Sequence, residues 1–249
     1  MAIWAIADLH LSFGVPNKHM SVFGPQWEGY TEKIEKGWRA SISPDDLVLI
    51  PGDISWAMHV EEVQPDLEWI DRLPGTKVLI KGNHDYWWNS LSKLKSVLPS
   101  TCHLIQNNSW TWHDISIAGT RLWDVPGLSF NDIIDYKDIG CIKVLTESDH
   151  SSDSQKIYQR ELGRLQVSLK SMNSLAKKRI VMTHYPPIGS ALQETEVSRL
   201  LEKYKVDICV FGHLHNVKSG LQLFGTLHGV RYYLTACDYL EDFKPLKIL

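Results

Sequence analysis

The sequence contains little that is typical of a secreted, disulfide-bonded or membrane-spanning protein. Its 249 residues include only four cysteines, which are widely spaced and form no C-x-x-C pair. This spacing argues against a disulfide framework and against a structural zinc site. No apolar run approaches the ~20 residues that a membrane helix needs. The apolar N-terminal stretch ends after residue 7 and no basic segment precedes it, so we predict no signal peptide and a cytoplasmic protein.

An excess of charge of either sign is also lacking. The chain has 26 Lys and Arg against 29 Asp and Glu, a formal net charge of −3. Binding to nucleic acid or to an anionic membrane needs a basic field, so we expect no nucleic-acid partner. The hydrophobic share of 43% is ordinary for a globular protein.

Five short apolar runs, rich in Val, Ile and Leu, each end at a polar group that can bind a metal. These runs are residues 2–7 before Asp8, 47–52 before Asp53, 78–82 before Asn83, 180–183 before His184 and 208–212 before His213. Continuous apolar runs of this length are typical of buried strands. Helical apolar spacing between several of them predicts an α/β fold. Ligands of such folds bind beyond the carboxyl ends of the strands, so we expect one site built from these five ends.

Two hairpins are predicted in the later part of the chain, one from residues 109–119 and one in which 221–224 pairs with 230–235. Residues 120–152 have weak periodicity and many polar side chains, and we interpret them as a lid or substrate wall. The whole chain, 1–249, is predicted to be a single domain.

The polar groups at the run ends form five blocks: Asp8-x-His10, Gly52-Asp53, Gly82-Asn83-His84-Asp85, His184 and Gly212-His213-x-His215. Each block alone is a weak signal, whereas five in one chain indicate a metal site. Alternate side chains of an extended segment share a face, so Asp8 and His10 are expected to point to one ion. Glycine before a ligand permits a tight turn and close backbone approach.

In order and without substitution, the five blocks resemble the signature of the calcineurin-like metallophosphoesterase superfamily. The resemblance spans residues 8–215. It implies a four-layer α/β/β/α sandwich of two mixed β-sheets flanked by helices. It also implies a hydrolase of phosphomonoesters or phosphodiesters in which two divalent or trivalent ions hold a hydroxide for in-line attack. Manganese is the expected ion, with iron, zinc and nickel as alternatives.

The resemblance also assigns roles to individual residues. The implied metal ligands are Asp8, His10 and His215 at the first ion, Asn83, His184 and His213 at the second, and Asp53 between the two. His84 would face the substrate phosphate, where it stabilises the transition state or protonates the leaving oxygen. Asp85 would accept a hydrogen bond from His84 and fix its orientation.

Other residues are candidates for substrate contact. The tryptophans near the blocks are Trp56, Trp87, Trp88 and Trp123, and they could form an aromatic wall for a nucleobase or another apolar leaving group, although packing is the simpler explanation. Arg121 could bind a phosphate through its planar fork or form a salt bridge. Tyr185 follows His184 and could line the cleft. His59 follows Asp53 by six residues and is a further residue to check.

Two alternatives to a phosphoesterase of small phosphorylated substrates remain open. One is a nucleotide-type pyrophosphatase that acts on a substrate such as UDP-diacylglucosamine. One group of those enzymes has Arg where this chain has His84, which counts against it. The other is a non-catalytic metal-binding scaffold, and the complete ligand set counts against that. The oligomeric state is left open.

Overall fold

The structure, a computed structural model, describes residues 1–89, 91–136 and 152–249, which form two compact units. Unit 1 consists of Met1–Leu104 and Thr235–Leu249, and unit 2 consists of Ile105–Leu234. Each unit contains one mixed β-sheet. The predicted α/β class, with two mixed sheets flanked by helices, is therefore confirmed. The prediction of a single domain stays a prediction.

The described residues contain eleven strands and five α-helices. The strands are β1 (Ile3–Ala5), β2 (Leu47–Ile50), β3 (Thr76–Leu79), β4 (Cys102–Leu104), β5 (Ser109–Trp112), β6 (Ile115–Thr120), β7 (Lys178–Thr183), β8 (Ile208–Phe211), β9 (Gly225–Leu227), β10 (Val230–Leu234) and β11 (Leu246–Lys247). The helices are α1 (Tyr30–Ser41), α2 (Gln64–Asp71), α3 (Leu91–Val97), α4 (Ser152–Lys170) and α5 (Glu196–Lys203). None of these helices is long and apolar enough to cross a membrane.

The sheet of unit 1 has the strand order β11-β1-β2-β3-β4. Strands β1 to β4 run parallel, and β11 pairs antiparallel with β1. Every residue of β2 is buried, as the apolar run predicts. Helix α1 buries Tyr30, Ile34 and Trp38, which fall on one face at helical spacing. The sheet therefore brings the carboxyl ends of three predicted strands to one edge.

The sheet of unit 2 has the order β5-β6-β7-β8-β10-β9. Strands β6, β7, β8 and β10 are parallel, and the two outer strands are antiparallel to their neighbours. Helix α4 packs against β6 through an apolar stripe at helical spacing, which includes the buried side chains of Leu162, Leu165 and Leu169. The carboxyl ends of β6, β7 and β8 share one edge of this sheet.

The first predicted hairpin is confirmed, because β5 and β6 pair antiparallel around His113 and Asp114. The second is wrong in its first strand, since residues 221–224 are not a strand and β9 pairs with β10 instead. Phe224 has φ +60°, which breaks an extended run before β9 begins. The turn itself falls at His228 and Gly229, which both have positive φ, as a tight two-residue hairpin turn requires.

The predicted lid or substrate wall, 120–152, is only partly described, since residues 137–151 lie outside the described residues. Residues 121–136 contain one short 3₁₀ turn, Asn131–Ile133. Ile134 forms an isolated antiparallel bridge with Val217, two residues after His215. The path of the described segment is therefore fixed within unit 2 next to a predicted ligand block.

Candidate metal centre

Within unit 1, the predicted ligands follow the carboxyl ends of three adjacent parallel strands. Asp8 follows β1, Asp53 follows β2 and Asn83 follows β3. The loops are joined by backbone hydrogen bonds: the N–H of Asp8 donates to the Gly52 carbonyl at 3.0 Å, and the N–H of His10 donates to the Asp53 carbonyl at 3.0 Å. The expected clustering of blocks at a sheet edge is thus confirmed for this unit.

The backbone of these loops is left-handed at three predicted ligands. The φ angles of Asp8, His10 and Asp53 are +59°, +44° and +51°, so the expectation of an extended Asp8-x-His10 segment is wrong. The left-handed conformation costs an ordinary L-residue roughly 1–2 kcal/mol. It persists only where surrounding contacts impose it, and such strain is concentrated at functional sites.

The side chains of these three residues lie close together and are almost fully buried. Ligand atoms of Asp8 lie within 4.8 Å of those of His10 and of Asp53. Nε2 of His10 is 3.7 Å from Oδ2 of Asp53. Their exposed fractions are 0%, 2% and 1%. Two buried carboxylates at this spacing repel each other unless a cation compensates their charge.

Gly82 permits the close approach on which the position of Asp53 depends. A Cβ atom at Gly82 would overlap both Oδ1 and the backbone nitrogen of Asp53. That oxygen accepts a hydrogen bond of 2.8 Å from the backbone N–H of His84. The third block, which contains Gly82 and His84, therefore holds the carboxylate of Asp53 in the second block. The close backbone approach predicted for Gly82 is confirmed.

Asp85 is fully buried and connects two of the loops. It accepts four hydrogen bonds, from the backbone N–H groups of Ile54 (2.9 Å), Ser55 (3.1 Å) and Gly82 (2.7 Å) and from the Trp87 indole (3.0 Å). Burial, followed by the nearby charge of Asp53, raises the pKa of Asp85 to about 6. These contacts give Asp85 a clear role in loop positioning, and its hydrogen bond to His84 stays a prediction.

Trp56 lies beside both His10 and His84. Its ring centroid is 4.9 Å from that of His10, in a stacked arrangement, and 4.6 Å from that of His84. Trp87 and Trp88 are buried in the core of unit 1. They are therefore packing residues, as the simpler interpretation held. His59 is exposed and its backbone N–H donates to Glu62, which gives it no part in this cluster.

Unit 2 presents its own set of predicted residues at one sheet edge. Arg121, His184 and His213 follow β6, β7 and β8. The N–H of His184 donates to the Arg121 carbonyl at 3.1 Å, and the N–H of Gly212 donates to the His184 carbonyl at 3.1 Å. The rings of His184 and His213 are 5.1 Å apart. His213 has φ +74°, and His215 follows it at a half-buried position.

Tyr185 packs against the predicted ligand His213. Tyr185 is 5% exposed, and its ring centroid is 3.9 Å from that of His213. Trp123 packs on Tyr185 with a centroid distance of 5.1 Å. The contact restricts the orientation of the His213 imidazole. Substrate contact by Tyr185 or Trp123 stays a prediction.

Arg121 is held by a buried acid that the sequence did not point out. Its guanidinium lies 3.3 Å from Oε1 of Glu161 and 4.8 Å from the Trp123 ring centroid. Glu161 is 1% exposed and also binds Arg164 at 2.6 Å. The salt-bridge alternative for Arg121 is therefore confirmed. The available signal was weak: Glu161 directly precedes Leu162 in the apolar stripe of α4.

Comparison with models of known protein families identifies the family of this chain. The model of calcineurin-like phosphoesterases matches residues 1–217. The chain belongs to the calcineurin-like phosphoesterase family. Membership indicates a hydrolase that acts on phosphoester bonds and uses divalent metal ions. The recognition made from the five blocks is confirmed.

Several solved structures resemble this calcineurin-like phosphoesterase. Phosphopantetheinyl hydrolase (PptH) from Mycobacterium tuberculosis has a TM-score of 0.57 and 14% identity, over 100% of this chain and 95% of that chain. The protein of unknown function AQ665 from Aquifex aeolicus has a TM-score of 0.47 and 15% identity, over 99% and 95%. GAP50, the anchor in the inner membrane complex of Plasmodium, has 0.48 and 10%, over 96% and 72%. No curated protein sequence matches.

The donor atoms in unit 1 fit the metal chemistry of a calcineurin-like phosphoesterase. Carboxylate and imidazole ligands suit first-row divalent ions. The buried carboxylates of Asp8 and Asp53, together with the imidazole of His10, provide such ligands within a short distance. A bound cation would also compensate the charge that burial makes costly.

Proposed function

We propose that this calcineurin-like phosphoesterase is a binuclear metal-dependent phosphohydrolase that cleaves phosphomonoesters or phosphodiesters. The observation that carries the proposal is the buried group of Asp8, His10 and Asp53, whose carboxylate and imidazole atoms lie close enough to share a cation. The backbone hydrogen bonds between their loops fix these ligands in advance, which benefits a metal centre.

The proposed ligand set follows the family motif. Asp8, His10 and His215 would hold one ion, Asn83, His184 and His213 would hold the other, and Asp53 would be a ligand of both. The proposed domain organisation is a single metallophosphoesterase domain, residues 1–249. Manganese is the proposed ion because carboxylate and amide oxygens suit it, and the imidazole ligands make iron, zinc and nickel the alternatives. The proposed compartment is the cytoplasm.

The protein side chains would divide the chemistry as follows. Two bound ions would supply Lewis-acid stabilisation and lower the pKa of the attacking water. His84 places an imidazole N–H at the leaving oxygen, where it stabilises the transition state or donates its proton. Asp53 fixes the backbone of His84 through the 2.8 Å hydrogen bond. Asp85 holds the loops through its buried hydrogen bonds.

The remaining proposals concern the substrate. A small phosphorylated molecule is the proposed substrate, with Trp56, Trp123 and Tyr185 near its organic part. A direct phosphate contact by Arg121 requires a rearrangement, because Glu161 binds its guanidinium. Trp56 is the best supported of these residues, since it lies 4.6 Å from His84.

The test is hydrolysis of 4-nitrophenyl phosphate and bis(4-nitrophenyl) phosphate by metal-stripped protein, with and without Mn²⁺. We expect Mn²⁺-dependent release, and the preferred ester decides between phosphatase and phosphodiesterase activity. His84→Asn should lower turnover by roughly 10²–10⁴-fold, the range for general acid catalysis, and keep the metal content. Asp53→Asn should lower both, and exposed His59→Asn should change neither.

Elemental analysis of each variant makes the outcome decisive. Equal loss of metal and activity in His84→Asn would refute the role given to His84. Wild-type protein that binds two metals per chain but hydrolyses neither ester would contradict the proposed substrate class.

A further inference from the structure

An aromatic surface adjoins His84 in unit 1. We call it the aromatic rim and define it as Phe23, Trp56 and Tyr86. The ring centroid of His84 lies 4.6 Å from that of Trp56 and 6.4 Å from that of Tyr86. Phe23 lies almost parallel to Trp56, at an interplanar angle of 11° and a centroid distance of 6.2 Å. Trp56 and Tyr86 thus lie beside the proposed catalytic imidazole, and Phe23 extends the aromatic surface from Trp56.

Much of the rim is open to solvent. Tyr86 is 50% exposed and Phe23 is 36% exposed, although both are large aromatic side chains. Val22, next to Phe23, is 75% exposed, and Met58, two residues after Trp56, is 42% exposed. Exposed apolar groups that are concentrated in this way mark binding surfaces, whereas single exposed apolar residues do not.

Apart from the phenol hydroxyl of Tyr86, the rim offers ring surface rather than hydrogen-bonding groups. Because His10 stacks on Trp56, the most exposed ring surface belongs to Phe23 and Tyr86. The indole N–H of Trp56 already donates to Sδ of Met20 at 3.1 Å. Its carbonyl accepts from Nζ of Lys18 at 3.0 Å, which fixes the loop. Phe23 has no polar side-chain atom. Such a surface recognises a flat ring by stacking and tolerates changes in the polar groups of that ring.

We infer that the aromatic rim binds the leaving group of the substrate and that this leaving group carries a planar aromatic ring, as in an aryl ester or a nucleotide. The inference rests on the proposed function, because it uses His84 as the residue at the leaving oxygen. Through Trp56 the rim adjoins both His84 and the proposed ligand His10. With His84 at the leaving oxygen, this places an aromatic surface next to the group that departs.

The test compares two esters of similar size and similar leaving-group alcohol, benzyl phosphate and cyclohexylmethyl phosphate. The Mn²⁺-loaded wild-type protein should have the higher kcat/KM for benzyl phosphate. Phe23→Ala should reduce this preference by about 3- to 10-fold, the range for one aromatic pair. Phe23→Leu, which keeps apolar bulk without a π face, should reduce it as well.

Phe13→Ala is the matched control, because Phe13 is 45% exposed and its ring contacts Trp69 instead of the rim. It should keep the wild-type preference. Equal kcat/KM for the two esters in wild-type protein, or equal preference in Phe23→Ala and wild-type protein, would overturn the inference and leave the proposed function intact.

A binding measurement separates this inference from the proposed function. Phenylphosphonate should bind more tightly than cyclohexylphosphonate by calorimetry, and Phe23→Ala should remove the difference. If neither ester is hydrolysed, the proposed function fails and the phosphonate pair alone decides: tighter binding of the phenyl compound supports the rim, and equal binding overturns it. Comparing adenosine 5′-monophosphate with ribose 5-phosphate then tells whether a nucleobase takes the place of the aryl ring.

Discussion

Asp66 is a buried acid whose ionisation should make the protein less stable as the pH rises. It lies in the first turn of α2 and is 0% exposed. It accepts hydrogen bonds from the backbone N–H of Phe13 at 2.8 Å and from the hydroxyl of Ser55. Burial outweighs these bonds and raises the pKa of Asp66 to about 6, from an ordinary value of 3.8.

The sign and size of the effect follow from proton linkage. Between pH 3.8 and about 6, Asp66 is protonated in the folded state and ionised in the unfolded state. The folded protein binds the extra proton, so the contribution of Asp66 to stability is fully present below pH 3.8 and is lost as the pH rises through 6. A difference of about two pKa units corresponds to roughly 3 kcal/mol in full, of which about 2 kcal/mol should be lost between pH 4.5 and 7.5.

The variant that isolates this effect is Asp66→Asn, which removes the ionisable group and keeps one acceptor oxygen. Its free energy of unfolding, relative to that of wild type, should improve by about 2 kcal/mol from pH 4.5 to 7.5. Urea denaturation followed by tryptophan fluorescence measures this difference. Asp45→Asn, at an exposed position, should differ from wild type by the same amount at both pH values. A pH-independent difference for Asp66→Asn would refute the reasoning.

Two further substitutions each test one structural feature, the first in unit 1 and the second in unit 2. Gly82→Ala should cost about 1–3 kcal/mol of stability by overpacking and reduce metal content, because its Cβ would overlap Asp53. Gly163→Ala, at an exposed position of α4 with open space around it, should be neutral or stabilising. Thermal denaturation and elemental analysis check this pair, and an unchanged metal content in Gly82→Ala would contradict it. Thr195→Ala should cost about 1 kcal/mol, since the hydroxyl accepts from the Ser198 N–H at 2.9 Å and caps α5. Thr195→Ser should restore the melting temperature, and a full loss in both variants would argue against the cap.

The candidate site shows which features local sequence patterns can reveal. The blocks around Asp8, Asp53 and His84 were recognisable because each follows a short apolar run that forms a strand. The left-handed backbone at Asp8 and Asp53 was not, because it is imposed by hydrogen bonds between loops distant in sequence. Glu161 was missed for the same reason, since its partner Arg121 is forty residues away.

The elements of the fold likewise divide into those that local sequence patterns predict and those that depend on contacts between distant segments. Long apolar stripes, such as that of α4, and continuous apolar runs, such as β2, were predictable because their periodicity is local. Strand β11 has only two residues and exists because it pairs with β1 at the opposite end of the chain. The register of β9 was misassigned because the positive φ of Phe224, whose N–H binds the Ser190 carbonyl, shifts the strand.

The sequence by itself determined the α/β class and the five blocks, because apolar runs and block patterns are short-range properties. The resemblance of the blocks to a known signature then indicated the family. The tertiary structure decided the left-handed backbone at the ligands, the burial that shifts the pKa of Asp66, and the placement of Tyr86 beside His84 and of Phe23 beside Trp56. Each of these depends on contacts between segments far apart in the chain, where packing and desolvation outweigh local preference.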